Sequence, residues 1–443
     1  MSDSRRDDAD VEQDRLDAPT GGAQNEAQKA KSEGASGFAA PRTNGSGAGS
    51  PSPKGAKTSS IVDPQSKVSA VAKASARKKG FLSIQGLIKQ FGDIYAVDGV
   101  DLEVHQGEIF ALLGSSGCGK STLLRMLAGL EKPSAGRIIL DGEDITKLAP
   151  YERPINMMFQ SYALFPHMTV RQNIAFGLKQ DKMPKDRIES RVNEMLKLVQ
   201  MEKFGERKPH QLSGGQQQRI ALARSLAKKP KLLLLDEPLG ALDKNLRKHT
   251  QLELANTIED VGVTCVMVTH DQEEAMTMAT RIAVMAEGKL QQVGTPFDVY
   301  EYPNSRFTAQ FLGETNVLKG SILNCTSSET YIQCGEMNHP FRLSYNFGQP
   351  EGAEAWVSLR PEDVNMYKSK PAHFDDCNWA CGVVDDIAYL GSVSVYYVRL
   401  ESGFILKSSI PSSRWYLADE DAPTWDETVY IGWHDDQPIA LIR

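Results

Sequence analysis

Runs of apolar residues along the chain predict the strands of a largely buried sheet. Such runs lie at Ile109–Leu113, within Pro230–Pro238 and within Val263–His270, and short continuous runs are typical of strands covered on both faces. Two further segments, Phe81–Gly92 and Tyr95–Val104, are predicted strands joined by a turn. Because segments with helical spacing lie between these strands, the pattern predicts an α/β fold.

Two other patterns follow along the chain. From about Arg171 to Ala227, apolar residues such as Ile188, Val192 and Met195 recur at helical spacing and predict a helical segment. From about residue 316, short alternating strands predict a small all-β barrel. The sequence therefore predicts an α/β part with a helical subdomain, followed by a separate all-β part.

Residues 1–78 have a different composition. They are rich in Ser, Gly, Ala, Pro, Asp and Lys and have almost no large apolar residue, so they cannot offset their chain entropy by burial. We expect a disordered tail. Its basic end, from Lys73 to Lys79, is compatible with a solvated tail or with contact to anionic lipid headgroups.

The composition of the whole chain limits the possible functions. At 443 residues, two or three domains are expected, and a net charge of -7 gives no general reason to expect nucleic-acid binding. Six Cys without a CxxC pair indicate neither a zinc site nor a disulfide framework. No apolar run reaches the length of a membrane-spanning helix, and the N-terminus lacks a secretory signal pattern. We expect a cytosolic protein, or one attached to a membrane through partners.

The segment Gly114–Thr122 has the spacing of a phosphate-binding loop. It follows the apolar run Ile109–Leu113 and precedes a predicted helix, which is the context that the motif needs. Its glycines let backbone N–H groups face an anion, and the helix N-terminus adds a positive end. Lys120 would reach the β- and γ-phosphates of a nucleotide, and the Ser121 hydroxyl would hold Mg²⁺.

The alternative is a glycine-rich turn without a ligand. The loop alone predicts a nucleoside triphosphate site, as in kinases, GTPases or motor ATPases.

Four polar side chains are expected near this loop because they follow predicted strands. Asp236 can bind Mg²⁺ directly or through water, and Glu237 can orient and deprotonate an attacking water. Gln160 can offer a neutral oxygen to the metal, and His270 can hydrogen-bond the γ-phosphate. The alternative is a carboxylate pair that caps a strand and a histidine with a structural role.

Leu212–Gln216, with the sequence LSGGQ, opens a predicted helix and forms a second anion site. One active site that already has a phosphate-binding loop does not need a second anion-binding segment. It becomes useful if two copies face each other head to tail, each lending Ser213 and Gly215 to the other's ATP.

Together these motifs resemble the ATP-binding subunit of an ABC transporter. The resemblance covers about residues 81–320 tightly and the remainder loosely. It implies that Phe91 stacks on adenine, although Tyr95 is also aromatic and close by, and that Leu239–Asp243 is the D-loop. Gln217 and Gln218 follow the signature where many members have Arg-Gln.

The resemblance also assigns site residues. It implies catalytic roles for Glu237 and His270, and metal binding by Ser121, Gln160 and Asp236. The implied ATP-binding residues are Phe91, Gly114, Ser115, Ser116, Gly117, Cys118, Gly119, Lys120, Ser121, Thr122, Gln160, Ser213, Gly214, Gly215, Gln216 and Asp243.

Longer strings are similar to those of bacterial importers. The segments 156–170, 266–276 and 295–301 resemble importers of polyamines, sugars or ferric iron, and residues 113–176 and 179–182 are most similar to putrescine/spermidine import ATPases. This resemblance implies a homodimer with two transmembrane permease subunits and a periplasmic polyamine-binding protein, peripheral on the cytoplasmic face of the inner membrane. It also implies that residues 161–176 line the groove for a permease coupling helix. A soluble ABC ATPase acting in translation or DNA repair is the alternative, but this chain has one uninterrupted cassette.

The predicted organisation has three parts: a tail (1–78), an ATP-binding domain (79–315, helical subdomain about 161–230) and an OB-like, TOBE-type regulatory domain (316–443). OB-like barrels often bind oligonucleotides through exposed aromatics. Acidic clusters such as Asp375–Asp376 and Asp385–Asp386 argue against that use, so no nucleic-acid partner is expected.

Overall fold

The computed structural model describes residues 80–240, 242, 244–371, 378–415 and 421–442. The predicted tail, the D-loop residue Asp243 and the acidic pair Asp375–Asp376 lie outside these ranges.

An antiparallel sheet begins the described part of the chain. The predicted hairpin is confirmed, since strand β1 (Leu82–Phe91) pairs antiparallel with β2 (Ile94–Val104). Strands β4 (Ala135–Leu140) and β5 (Glu143–Asp144) complete the order β2-β1-β4-β5. The apolar side chains of this sheet pack in one cluster with helix α1 (Lys120–Ala128), which therefore lies under it.

A second sheet contains the strands that end at or just before the predicted site residues Gln160, Asp236, Glu237 and His270. Its strands are β3 (Ile109–Leu113), β6 (Ile155–Met158), β7 (Leu232–Asp236), β8 (Thr264–Thr269), β9 (Arg281–Ala286) and β10 (Lys289–Gly294). The order is β10-β9-β3-β8-β7-β6, and only the β10–β9 pair is antiparallel. Phe110 and Leu112 pack toward α1, whereas Ile109 and Ala111 pack on the opposite side. Burial on both faces explains why these strands are continuous apolar runs.

Helices cover that opposite face. The helices after α1 are α2 (Val170–Gln180), α3 (Lys185–Leu198), α4 (Gly214–Ala227), α5 (Lys244–Val261), α6 (Gln272–Met278), α7 (Pro296–Glu301) and α8 (Arg306–Phe311). The predicted helical segment is confirmed by α2, α3 and α4. Ile174, Leu196 and Ile220 from these three helices share one apolar cluster with Met267 of β8. Within the described ranges, every helix is too short or too polar to span a bilayer.

The all-β part consists of two antiparallel five-stranded sheets. The first has the order β13-β12-β11-β14-β20 and the second β15-β19-β16-β17-β18. Their bounds are β11 (Asn316–Cys325), β12 (Thr330–Cys334), β13 (Phe341–Leu343), β14 (Glu354–Leu359), β15 (Asn365–Tyr367), β16 (Asn378–Tyr389), β17 (Val393–Leu400), β18 (Ile405–Pro411), β19 (Thr428–Trp433) and β20 (Ile439–Leu441).

One apolar core joins these two sheets, so the predicted all-β part is confirmed as two sheets that share a core. Trp433 is 2% exposed, and the centre of its ring lies 5.3 Å from the centre of the Phe341 ring. Trp415 is also buried. These two tryptophans are therefore core residues and are not available as exposed aromatics for stacking on oligonucleotides.

A buried arginine connects the all-β part to the helices before it. Arg360 follows β14 and donates hydrogen bonds to the carbonyl oxygens of Tyr300 (3.0 Å), Ala309 (3.2 Å) and Glu314 (3.2 Å). Its guanidinium also lies 4.1 Å from the centre of the Tyr300 ring. A buried guanidinium is tolerated when its donors find acceptors, and here those acceptors come from α7, α8 and the segment after α8.

We expect Arg360→Ala to lower the free energy of unfolding by about 3 kcal/mol, because three carbonyls lose a charged donor. Urea unfolding of the full chain measures this change. Arg306→Ala is the control, since Arg306 is exposed and lies over the Trp356 ring, which predicts a loss below about 1 kcal/mol. Equal losses for the two variants would contradict the assigned role of Arg360.

Candidate active site

The phosphate-binding loop lies between β3 and α1, as predicted. Lys120 begins α1 and is 5% exposed, and its Nζ donates to the carbonyl oxygens of Gly114 (2.7 Å) and Ser115 (2.8 Å). The ammonium therefore folds back over its own loop. The residue before α1, Gly119, has no side chain to cap the first-turn N–H groups of the helix. Those groups are free to bind an anion, so the loop fits a nucleotide phosphate.

Two glycines of this loop are required by close backbone contacts. A Cβ at Gly119 would lie 2.1 Å from the Ala96 carbonyl oxygen, and Gly119 also has a left-handed φ of 107°. A Cβ at Gly114 would lie 2.3 Å from the Met285 carbonyl oxygen. Gly117 has a φ of 82° but open space around its Cα.

Two neighbouring carboxylates lie at the end of β7. Asp236 ends the strand, and its Oδ1 accepts a hydrogen bond of 3.5 Å from the Ser121 hydroxyl. Burial, and then the charge of Glu237, raise the pKa of Asp236. A hard cation beside Asp236 and Ser121 would relieve this repulsion with oxygen ligands, so the donor set fits Mg²⁺.

The carboxylate of Glu237 brings together two other predicted residues. Gln160, which follows β6, donates from Nε2 to Oε2 of Glu237 at 2.7 Å. Nδ1 of His270, which follows β8, lies 3.1 Å from Oε1 of the same carboxylate. Glu237 also has a left-handed φ of 45°, a conformation that costs energy for a residue with a side chain and is found at functional sites. Each oxygen of this carboxylate is thus held from a different side.

The second predicted anion site opens helix α4. Ser213 caps the helix, its Oγ accepts from the Gln216 N–H (3.4 Å), and the Gln216 side chain accepts from the Ser213 N–H (3.1 Å). Within the described ranges, no hydrogen bond joins Leu212–Gln216 to the phosphate-binding loop or to Glu237. Farther along α4, Gln218 donates to the Pro238 carbonyl oxygen at 3.2 Å.

The predicted adenine contact lies at the end of β1. Phe91 is 50% exposed, with the Lys89 ammonium 4.6 Å from its ring centre. Tyr95 on the neighbouring strand is 49% exposed. Both rings are accessible to a base.

Sequence reasoning missed Arg224, which holds the segment after Gln160 in place. Arg224 of α4 donates to the carbonyl oxygens of Tyr162 (2.8 Å) and Ala163 (2.7 Å), just after Gln160. Both of these residues have left-handed φ angles, 59° and 45°. A charged residue within the otherwise small and apolar stretch Ile220–Ala227 was the signal that could have identified Arg224.

The fold and this arrangement of motifs define an ATP-hydrolysing subunit of an ABC transporter. A family profile described as "ABC transporter" matches residues 97–240, and one described as "TOBE domain" matches residues 357–441. The chain also aligns with more than two thirds of the length of several curated relatives, at well above 30% identity. The chain therefore belongs to the ABC transporter ATP-binding family.

Individual relatives give a finer comparison. The chain is 55% identical over 360 residues to the putrescine transport ATP-binding protein PotG of Escherichia coli strain K12, covering 81% of this chain and 94% of that protein. It is 48% identical over 335 residues to the spermidine/putrescine import ATP-binding protein PotA of Chromobacterium violaceum, covering 75% and 91%. The protein of the same name from Thermotoga maritima is 43% identical over 362 residues, covering 82% and 98%.

We expect Gly119→Ala to lower the free energy of unfolding by about 3 kcal/mol, because the new methyl group meets a carbonyl oxygen and must displace backbone. Gly117→Ala is the matched control in the same loop. It should cost only about 1 kcal/mol, for the left-handed backbone alone. Denaturant unfolding without nucleotide measures both, and equal losses would contradict the close contact at Gly119.

Proposed function

We propose that this chain hydrolyses ATP to energise the uptake of polyamines, putrescine or spermidine, through a bacterial ABC importer. The observation that supports hydrolysis best is the Glu237 carboxylate, held by Gln160 and His270 beside the phosphate-binding loop. The names of the similar proteins support polyamines as the cargo.

ATP and Mg²⁺ are proposed to bind as follows. Lys120 and the first-turn N–H groups of α1 bind the phosphates, and Ser121, Gln160 and Asp236 hold the metal. Bound there, Mg²⁺ supplies positive charge that offsets the charge developing on the phosphates. The remaining loop residues, from Gly114 to Thr122, shape the backbone around the anion.

The chain's own residues carry out the proton transfer. Glu237 orients a water molecule and accepts its proton as general base. Gln160 and His270 contact the two carboxylate oxygens and so fix the orientation of the base.

A second copy is proposed to complete each site. Ser213, Gly214, Gly215 and Gln216 of one copy would contact the nucleotide of the other, together with Asp243 of the D-loop. The dimer would act on two transmembrane permease subunits, supplied by a periplasmic polyamine-binding protein, from the cytoplasmic face of the inner membrane. We place the ATP-binding domain at 79–315, with its helical subdomain at about 161–230, and a regulatory domain at 316–443.

Lys120→Ala should abolish nucleotide binding, because the loop loses its only side-chain cation that faces the proposed phosphates. Binding of a fluorescent ATP analogue to the full chain measures this effect. The control is Lys231→Ala, which removes an exposed ion pair with Asp141 (2.6 Å) outside the loop and should leave affinity unchanged. Wild-type affinity in Lys120→Ala would refute the phosphate assignment.

Glu237→Gln should keep ATP binding but lower kcat by about 100-fold or more, because the amide fills the same space without acting as a base. Single-turnover phosphate release measures the step. Hydrolysis near the wild-type rate would exclude Glu237 as the base.

The cargo is tested by uptake of radiolabelled putrescine and spermidine in cells that lack this protein. Cells complemented with the wild type should recover uptake, and cells complemented with Glu237→Gln should not. Unchanged uptake in the deletion strain, with no redundant carrier present, would refute polyamine cargo and favour a sugar or ferric iron. The ATPase assignment would stand in that case.

A further inference from the structure

Three buried polar atoms behind the candidate site have no role in the proposed mechanism: one oxygen of Glu274, the hydroxyl of Tyr162 and Nε of Arg247. Glu274 on α6 is 2% exposed, and Tyr162, two residues after Gln160, is 4% exposed. Oε1 of Glu274 and the hydroxyl of Tyr162 make no hydrogen bond to any described residue. Native proteins rarely leave buried polar atoms without partners, and exceptions are often functional.

The other oxygen of Glu274 is bound to the turn that carries His270. Oε2 accepts a hydrogen bond from the Thr269 hydroxyl, whose oxygen in turn accepts from the Asp271 N–H at 2.9 Å. Asp271 caps α6 by accepting from the Glu274 N–H at 3.1 Å. Glu274 is therefore connected to both neighbours of His270, and a movement of its carboxyl group shifts that turn.

Arg247 connects the same turn to the segment after Glu237. Its Nη1 lies 2.9 Å from Oδ2 of Asp271, and its Nη2 donates to the Leu242 carbonyl oxygen at 3.1 Å. The turn is thus held from two sides, by Glu274 and by Arg247.

Tyr162 belongs to the segment that carries Gln160. Arg224 donates to the backbone carbonyl of Tyr162 and so fixes the position of this residue. The buried hydroxyl of Tyr162 nevertheless has no hydrogen-bond partner among the described residues. The hydroxyl of a buried phenol can donate one hydrogen bond, and the charge of Glu274 acts on this group. The two groups are close enough for the charge of one to act on the other.

We propose that Tyr162 and Glu274 are a positioning pair for ATP hydrolysis. The Tyr162 hydroxyl donates to Oε1 of Glu274 when the segment after Gln160 moves toward the His270 turn. This hydrogen bond satisfies both buried atoms and fixes Gln160 and His270 together on Glu237. The inference rests on the proposed function of Glu237.

A double-mutant cycle on the full chain tests the pair. Tyr162→Phe and Glu274→Gln should each lower kcat for ATP by about tenfold, with KM changed by less than about twofold. The double variant should be no more than about twofold slower than either single variant, because Phe removes the donor of this hydrogen bond and Gln replaces its charged acceptor with a weaker neutral one. Additive losses, or wild-type rates in the single variants, would overturn the proposal.

The chain offers a matched control pair at the connection to the all-β part. The Tyr300 hydroxyl donates to Oε1 of Glu362 at 2.5 Å, so Tyr300→Phe and Glu362→Gln make the same chemical changes elsewhere. These control variants should keep the wild-type kcat. If they lose as much kcat as the site pair, the effect is general destabilisation and the proposal fails.

A pH profile separates positioning from a purely structural role. Burial, and then the charge of Asp271, raise the pKa of Glu274 to about 7, while the Thr269 hydrogen bond, Arg247 and His270 lower it. Tyr162 is the proposed donor to the same carboxyl group. The carboxylate is the stronger acceptor, so a component of kcat should rise as pH increases through about 7 in the wild type. Glu274→Gln should lack this component, and an unchanged profile would refute the pair.

The same assays distinguish failure of this proposal from failure of the proposed function. Glu237→Gln is included at every pH. If Glu237→Gln is inactive and the pair variants behave as wild type, only the positioning pair is refuted. If Glu237→Gln hydrolyses ATP at the wild-type rate, the base assignment itself is wrong.

Discussion

The parallel direction of β3, β8, β7 and β6 is the constraint on which the candidate site depends. These strands are neighbours in that order, so their carboxyl ends meet at one edge of the sheet. Glu237 follows β7, which lies between β8 and β6. His270 follows β8 and Gln160 follows β6, so the two side chains that contact Glu237 come from the two adjacent strands. Burial of both faces of these strands holds the strand ends in place.

The electrostatic situation at this edge explains why ligands are needed to complete it. Asp236 and Glu237 are adjacent carboxylates, and the pKa of Asp236 is raised by burial and by its neighbour. Both oxygens of Glu237 have a polar partner at 3.1 Å or less, whereas Asp236 accepts a long hydrogen bond of 3.5 Å from Ser121. The Lys120 ammonium, in turn, is bound to loop carbonyls rather than to either acid. A site with separated positive and negative groups suits a ligand that carries both phosphates and a cation.

The sequence predicted which polar residues follow the strands at this sheet edge better than it predicted the contacts between them. Apolar runs and glycine spacing identified the strands and the loop, because these patterns are local. The strand order β3-β8-β7-β6 is a property of tertiary packing and is not encoded in any single segment. The role of Glu274 was also missed, because it depends on tertiary packing. In the sequence, an acidic residue in the first turn of a short helix is typical of a solvated cap. Its burial follows from the packing of α6 against the sheet. Phe91 and Tyr95 stay undecided because both rings are about half exposed.

Helix α4 has contacts with both sides of this site. Its N-terminus carries Ser213, the proposed contact to the nucleotide of a second copy. Along the same helix, Gln218 binds the Pro238 carbonyl, next to Glu237, and Arg224 binds the Tyr162 carbonyl, near Gln160. A helix moves as a rigid unit, so in the proposed dimer any displacement of its N-terminus by the partner's nucleotide reaches both segments of its own site. The two sites of such a dimer are then coupled through α4 by direct hydrogen bonds.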